Sequence, residues 1–223
     1  MKKILLTAFA LLVASSLSFG QEVMPGLSGG SKALLFSFGG LSNLSANSYL
    51  GGFGAKYYLS SSMAVRAGLM FTSASTTTPS NPATGDVGVD GSTSNTTIGV
   101  GGGIELHMGT GRVSPYLGAG VQFSTTSTET KNAATATPPA VPVQTVVKNA
   151  GGNTTFTVYG MAGFEFFLWK EVSLSGEYRV GFSSTSQKDR ETTTGPTTTT
   201  VKQGSSSTIG IAAQGVLTLG VYF

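Results

Sequence analysis

Six ionisable side chains recur among large apolar residues along this chain: Lys56, Arg66, Glu105, Glu165, Glu177 and Arg179. Three are cations and three are anions, so the set is neutral. Glu105 and His107 are two positions apart and share one face of an extended strand. A carboxylate beside an imidazole is a candidate acid–base pair or half of a metal site. The chain has one His and no Cys, which is too few nitrogen and sulfur ligands for zinc. No metal and no cofactor are expected. The glycines at 99, 101 and 103, and at 118 and 120, mimic phosphate-loop spacing. No helical pattern follows them, so that match carries no nucleotide site.

The elements that must position these charges read as strands. The longest run is TVYGMAGFEFFLWKEVSLSGEYRVGF, 157–182. Val158, Ala162, Phe164, Phe166 and Leu168 alternate with Tyr159, Met161, Gly163, Glu165 and Phe167. After a tight turn at Trp169–Glu171, Val172, Leu174, Tyr178, Val180 and Phe182 alternate with Ser173, Ser175, Glu177, Arg179 and Gly181. Strict period two over such lengths is a strand signal. The same unit recurs at 32–39, 49–59, 63–71, 96–108, 113–123 and 208–223, giving eight strands. Tight turns are expected at Ser60–Ser62, at Gly109–Arg112 and at Trp169–Glu171. A short loop, about 40–48, joins the first two strands. Long Thr- and Ser-rich connections fill 72–95, 124–153 and 183–207. The low apolar content of the first predicts that it does not order itself, whereas Val141–Val147 in the second is a stretch able to extend a strand beyond the membrane, though it is not counted among the eight.

Which face points inward follows from bulk and charge. Charged residues are 10% of the chain, against roughly 25% in a soluble domain. The polar face is largely glycine, which makes a poor water-facing surface. Turned inward, its small and charged residues fill a narrow lumen, and the large aliphatics and aromatics meet lipid. Aromatic residues also gather near strand ends: Tyr57, Phe166, Trp169 and Phe223 at the turns, and Phe71, Phe123 and Phe182 at the loops. An open sheet edge in lipid leaves backbone groups unpaired, so the sheet must close. The expected fold is all-β, an eight-stranded antiparallel up-and-down transmembrane β-barrel.

Residues 1–20, MKKILLTAFALLVASSLSFG, combine a basic start, an apolar core and small residues before Gln21, the pattern of a secretory signal peptide. Residues 21–223 then form the barrel domain. Without Lys2 and Lys3 the chain has 11 basic and 10 acidic residues, so its basic balance gives no reason to expect a nucleic-acid partner.

The segments GGFGAKYYL (51–59), SPYLGAGVQF (114–123), GMAGFEFF (160–167), SLSGEYRVGF (173–182) and GVLTLGVYF (215–223), in this order, resemble the small OmpA/OmpX-type barrels and the broader outer-membrane protein β-barrel domain family. The resemblance spans the mature chain. It implies residence in the cell outer membrane, turns toward the periplasm and long loops outside. The alternating Leu217, Leu219, Val221 and terminal Phe223 resemble the signal read by the barrel-assembly machinery. The peptidoglycan-binding domain that follows the OmpA barrel is not expected here. Lipid-modifying barrel enzymes use a Ser–His–carboxylate arrangement or similar. His107 lies near the turn side and on the face away from lipid, so no catalytic residue is assigned.

The six charges therefore read as a lumen ion network. The turn at Ser60–Ser62 sets Lys56 nearly opposite Arg66, and like charges side by side are unfavourable. Glu105 is the expected compensator, and Arg179 is expected to pair with Glu165 or Glu177. The favoured function is an integral outer-membrane barrel with an occluded polar lumen, in a structural or surface-interaction role. The alternative is a narrow porin-like pore for small solutes, with the charges as an ion path. The expected partners are outer-membrane lipid, the assembly machinery and a surface ligand taken through the loops, with the barrel itself a monomer.

Overall fold

The computed structural model describes residues 28–38, 52–109 and 111–223, with the side chains of 208–215 left out of the description. The expected signal peptide and the loop at 40–48 lie outside these residues. Thirteen strands and no helix are found among the described residues. In chain order they are β1 (Lys32–Phe38), β2 (Gly52–Tyr58), β3 (Met63–Thr78), β4 (Val87–Val89), β5 (Gly91–His107), β6 (Val113–Lys131) and β7 (Ala134–Ala136). Then come β8 (Thr145–Lys148), β9 (Asn153–Phe167), β10 (Val172–Gln187), β11 (Arg190–Thr194), β12 (Thr197–Val201) and β13 (Ser205–Tyr222).

Eight of them close a ring in the order β1-β2-β3-β5-β6-β9-β10-β13, and β13 returns to β1. All eight pairings are antiparallel; seven join ring strands that follow each other along the chain, and the eighth joins the first to the last. The ring is the expected eight-stranded up-and-down barrel, and closure leaves it no unpaired edge. Tight turns close one end. The Leu59 amide donates to Met63 O at 2.8 Å, Met108 N to Pro115 O at 2.8 Å and Leu168 N to Val172 O at 2.9 Å. Period-two alternation sorts the side chains as expected. Leu69, Phe71, Ile98, Val100, Leu117 and Val180 stand exposed on the outside, whereas Lys56, Tyr58, Glu105, Tyr116 and Glu165 are buried inside. One irregularity interrupts the wall. Between the Glu177–Val216 and Arg179–Ala212 pairs, β13 has three residues opposite one on β10. The two extra residues form a bulge that keeps the parity of the strand, so Val180 and Ile211 still pair as Gly176 and Leu217 do.

The first long connection differs from expectation, and in the second the extension open to Val141–Val147 is found as β8 (Thr145–Lys148). The Thr-rich tracts at 72–95, 124–153 and 183–207 do order themselves. Ring strands run on into them, β3 to Thr78, β6 to Lys131 and β10 to Gln187. Five further strands form outside the ring. β8, β11 and β12 extend a sheet from β6, and β4 pairs with β7. The physical reason lies in the barrel beneath. Each strand leaves the ring already in register with its neighbour, so extending the ladder needs no new loop closure. Threonine is a strong β-former, and its hydroxyls bridge facing strands: Thr97–Thr126 at 2.9 Å, Thr155–Thr185 at 2.9 Å and Thr157–Ser183 at 2.9 Å. Apolar burial, on which the disorder argument rests, is not needed for such an extension. In the same region the amide and hydroxyl of Ser80 both donate to Asp90 Oδ1, at 2.8 and 3.0 Å, and hold its carboxyl below the usual range.

Candidate functional site

The six lumen charges meet in one alternating chain. Register sets Lys56 directly opposite Arg66, and Glu105, one strand further round, faces Ala64. Glu105 lies between the two cations, 2.8 Å from Lys56 Nζ and 3.0 Å from Arg66 Nη1. Lys56 Nζ also donates to Glu165 Oε2 at 3.1 Å. Arg66 grips Glu177 with both terminal nitrogens, Nη1 to Oε2 at 2.6 Å and Nη2 to Oε1 at 3.1 Å. Arg179 completes the series on Glu177, with Nε donating to Oε1 at 2.5 Å and Nη2 pairing with the same oxygen. The order is Glu165, Lys56, Glu105, Arg66, Glu177, Arg179, with signs alternating throughout. Arg179 pairs with Glu177, and Glu165 takes Lys56 instead. The bidentate Arg66–Glu177 contact spans the lumen from β3 to β10, and neither it nor Lys56–Glu165 was foreseen by strand-by-strand reasoning.

Hydroxyls close the anionic end. Glu165 Oε1 accepts from Tyr222 Oη at 2.6 Å and from Ser173 Oγ at 2.5 Å, and its Oε2 accepts from Tyr58 Oη at 3.2 Å. Tyr116 Oη donates to Glu177 Oε2 at 3.0 Å. His107 sits beside the chain, with Nε2 3.1 Å from Glu105 Oε2 and Nδ1 2.9 Å from Ser114 Oγ. The Ser114 hydroxyl is committed to Gly109 O at 2.6 Å. It therefore accepts from His107 at Nδ1. No group of residues suited to a metal ion occurs among the described residues. Glu105 and Glu165 are fully buried and Lys56 nearly so, a placement tolerable only because every charge is paired. Among the described residues, no buried side-chain nitrogen or oxygen lacks a hydrogen-bond partner.

The tyrosines that serve the chain occupy space left by glycine. A Cβ on Gly163 would lie 2.7 Å from the Tyr116 ring, and one on Gly120 would lie 2.6 Å from the Tyr159 ring. Each ring crosses the bare backbone of the next strand to reach the centre. The inward glycines are thus the sequence trace of lumen tyrosines, a signal that the alternation alone does not decode. Arg179 stacks on the other side of this arrangement, 4.6 Å from the Tyr159 ring centroid, within cation–π range.

The terminal segment pairs on both sides. Leu217, Leu219 and Val221 face Gly176, Leu174 and Val172 on β10, and Phe38, Phe36 and Leu34 on β1. Phe223 donates its amide to Lys32 O at 3.0 Å, while its ring stays exposed.

A closed antiparallel ring with exposed aliphatics outside and paired charges inside defines a transmembrane barrel. The family model for the outer membrane protein beta-barrel domain matches residues 4–212. The chain belongs to that family and is an outer-membrane barrel protein. Among solved structures it is similar to CarO of Acinetobacter baumannii, at 13% identity and a TM-score of 0.30, with 92% of this chain and 99% of that chain covered. A comparison with curated proteins finds no match.

Proposed function

We propose that this protein is an exported outer-membrane barrel whose lumen is closed by the ion chain and whose hydroxyl-rich outer extension meets the surroundings of the cell. In this reading it catalyses no reaction, and residues 1–20 direct its export. The residues Leu217, Leu219, Val221 and Phe223 present the signal for the assembly machinery, and the barrel stands in lipid as a monomer. The observation that carries the closed-lumen reading is the chain itself. Six charges from five strands cross the interior, and Tyr58, Tyr116, Glu105 and Glu165 there are almost wholly buried. A conducting path would need water beside these groups. The extended strands and the β8–β11–β12 sheet support a surface role, because they build an ordered platform and not a loose tether.

Conductance of the purified protein in planar bilayers tests this directly. The wild-type barrel is expected to stay near baseline, and Glu105→Ala is expected to give small, flickering openings. Steady conductance by the wild type refutes closure and favours the narrow-pore alternative.

A further inference from the structure

The ion chain is closed at one end and open at the other. Its anionic end, Glu165, receives three hydroxyls and Lys56. Its cationic end, Arg179, has Glu177 on one edge and the Tyr159 ring on its face. Nη1 of Arg179 has no partner among the described residues, and its side chain is 24% exposed. The exposure has a definite destination. A cavity of about 240 Å³ lies on the loop side of the chain, lined by Arg66, Arg179, Tyr159 and Gln122 among others. The Gln122 side chain also makes no hydrogen bond among the described residues. Apolar surface from Leu35 and Val216 completes the wall. Both lie inward by register, since Val216 pairs with Glu177 and Leu35 with Gly54.

Charge along the barrel axis is unequal although the total is zero. Toward the turns, Glu105 and Glu165 share Lys56. Toward the cavity, Arg66 and Arg179 share Glu177. The cavity floor is therefore the positive end of an internal dipole, and low-dielectric walls focus that field. An anion placed there continues the alternation as a seventh member. The apolar wall distinguishes a small organic acid from an inorganic anion, because it offers contact to a short hydrocarbon body.

We propose that this cavity is a binding site for a small organic monocarboxylate, held through its carboxylate by Arg179 and the Gln122 amide with its apolar part against Leu35 and Val216. Loss of a charge-assisted hydrogen bond of this kind weakens binding about ten- to a hundredfold. The inference rests on the closed-lumen reading only in treating the cavity as a dead end. Failure of closure appears as conductance, whereas failure of the site appears as absent binding.

The test is equilibrium dialysis of radiolabelled butyrate against the full barrel refolded in zwitterionic vesicles, with butyramide, butylamine and phosphate as competitors. Saturable binding is expected, with one butyrate per barrel. Unlabelled butyrate should displace the label, while butyramide, butylamine and phosphate should not. Arg179→Gln should weaken binding by the factor above. Gln122→Leu leaves every member of the ion chain in place and should weaken it by a smaller factor, so the test survives if Arg179→Gln does not refold. No saturable binding, or butyramide displacing butyrate equally well, overturns the proposal. Phosphate displacing butyrate equally well overturns the organic-acid assignment, and undiminished affinity in Gln122→Leu overturns the proposed geometry.

Discussion

Glu105→Gln removes one charge at the centre of the ion chain and keeps the shape of the side chain. Glu105 is fully buried between Lys56 at 2.8 Å and Arg66 at 3.0 Å. In the variant three lumen cations share two carboxylates, and the new amide turns a donor toward groups that only donate. Removing one partner of a buried pair costs about 3–5 kcal/mol. Lys56 keeps Glu165 and Arg66 keeps Glu177, which places the expected loss near the lower bound, about 3 kcal/mol. Glu129→Gln is the control. Glu129 meets Lys131 at 3.2 Å with both side chains substantially exposed, and such a pair contributes about 0–1 kcal/mol. Urea unfolding in lipid vesicles reads both, followed by the fluorescence of Trp169, the one tryptophan of the chain. A double-mutant cycle between Arg66 and Glu105 isolates the direct coupling, expected at about 1–3 kcal/mol. A Glu105→Gln variant no less stable than Glu129→Gln, or a coupling near zero, refutes the claim that the chain is energetically connected.

Two further outcomes are expected. Arg in place of outward Ala162 or Leu219 should destabilise the vesicle-embedded barrel by about 2–4 kcal/mol if these positions stand near the bilayer midplane; unchanged urea midpoints would show that the outer face is not lipid-embedded there. Deletion of Phe223 should lower outer-membrane levels in cells while refolded protein keeps its stability, because the ring is exposed and only its amide is bonded; equal levels of the two proteins would remove its role as an assembly signal.

The sequence alone determined the barrel. Period two is set by backbone geometry, so Leu69, Val100 and Val180 fall on one face and Arg66, Glu105 and Arg179 on the other without knowledge of the fold. Three short and four longer connections then fix an even, up-and-down strand order. Local register was equally legible, and a three-residue turn at Ser60–Ser62 suffices to oppose Lys56 and Arg66. Contacts across the lumen were not legible. Arg66 meets Glu177, 111 positions away, and Lys56 meets Glu165, 109 positions away. Which side chains converge there depends on how the closed ring staggers its strands, a property of all eight pairings together. The Thr-rich tract at 72–95 shows the same division. Read alone it lacks the apolar content to order, and it is the pairing inherited from the barrel that makes strands of it. Alternation is a property of one segment, whereas closure, stagger and cross-lumen distance belong to the whole ring, so only the tertiary structure decided which charges touch.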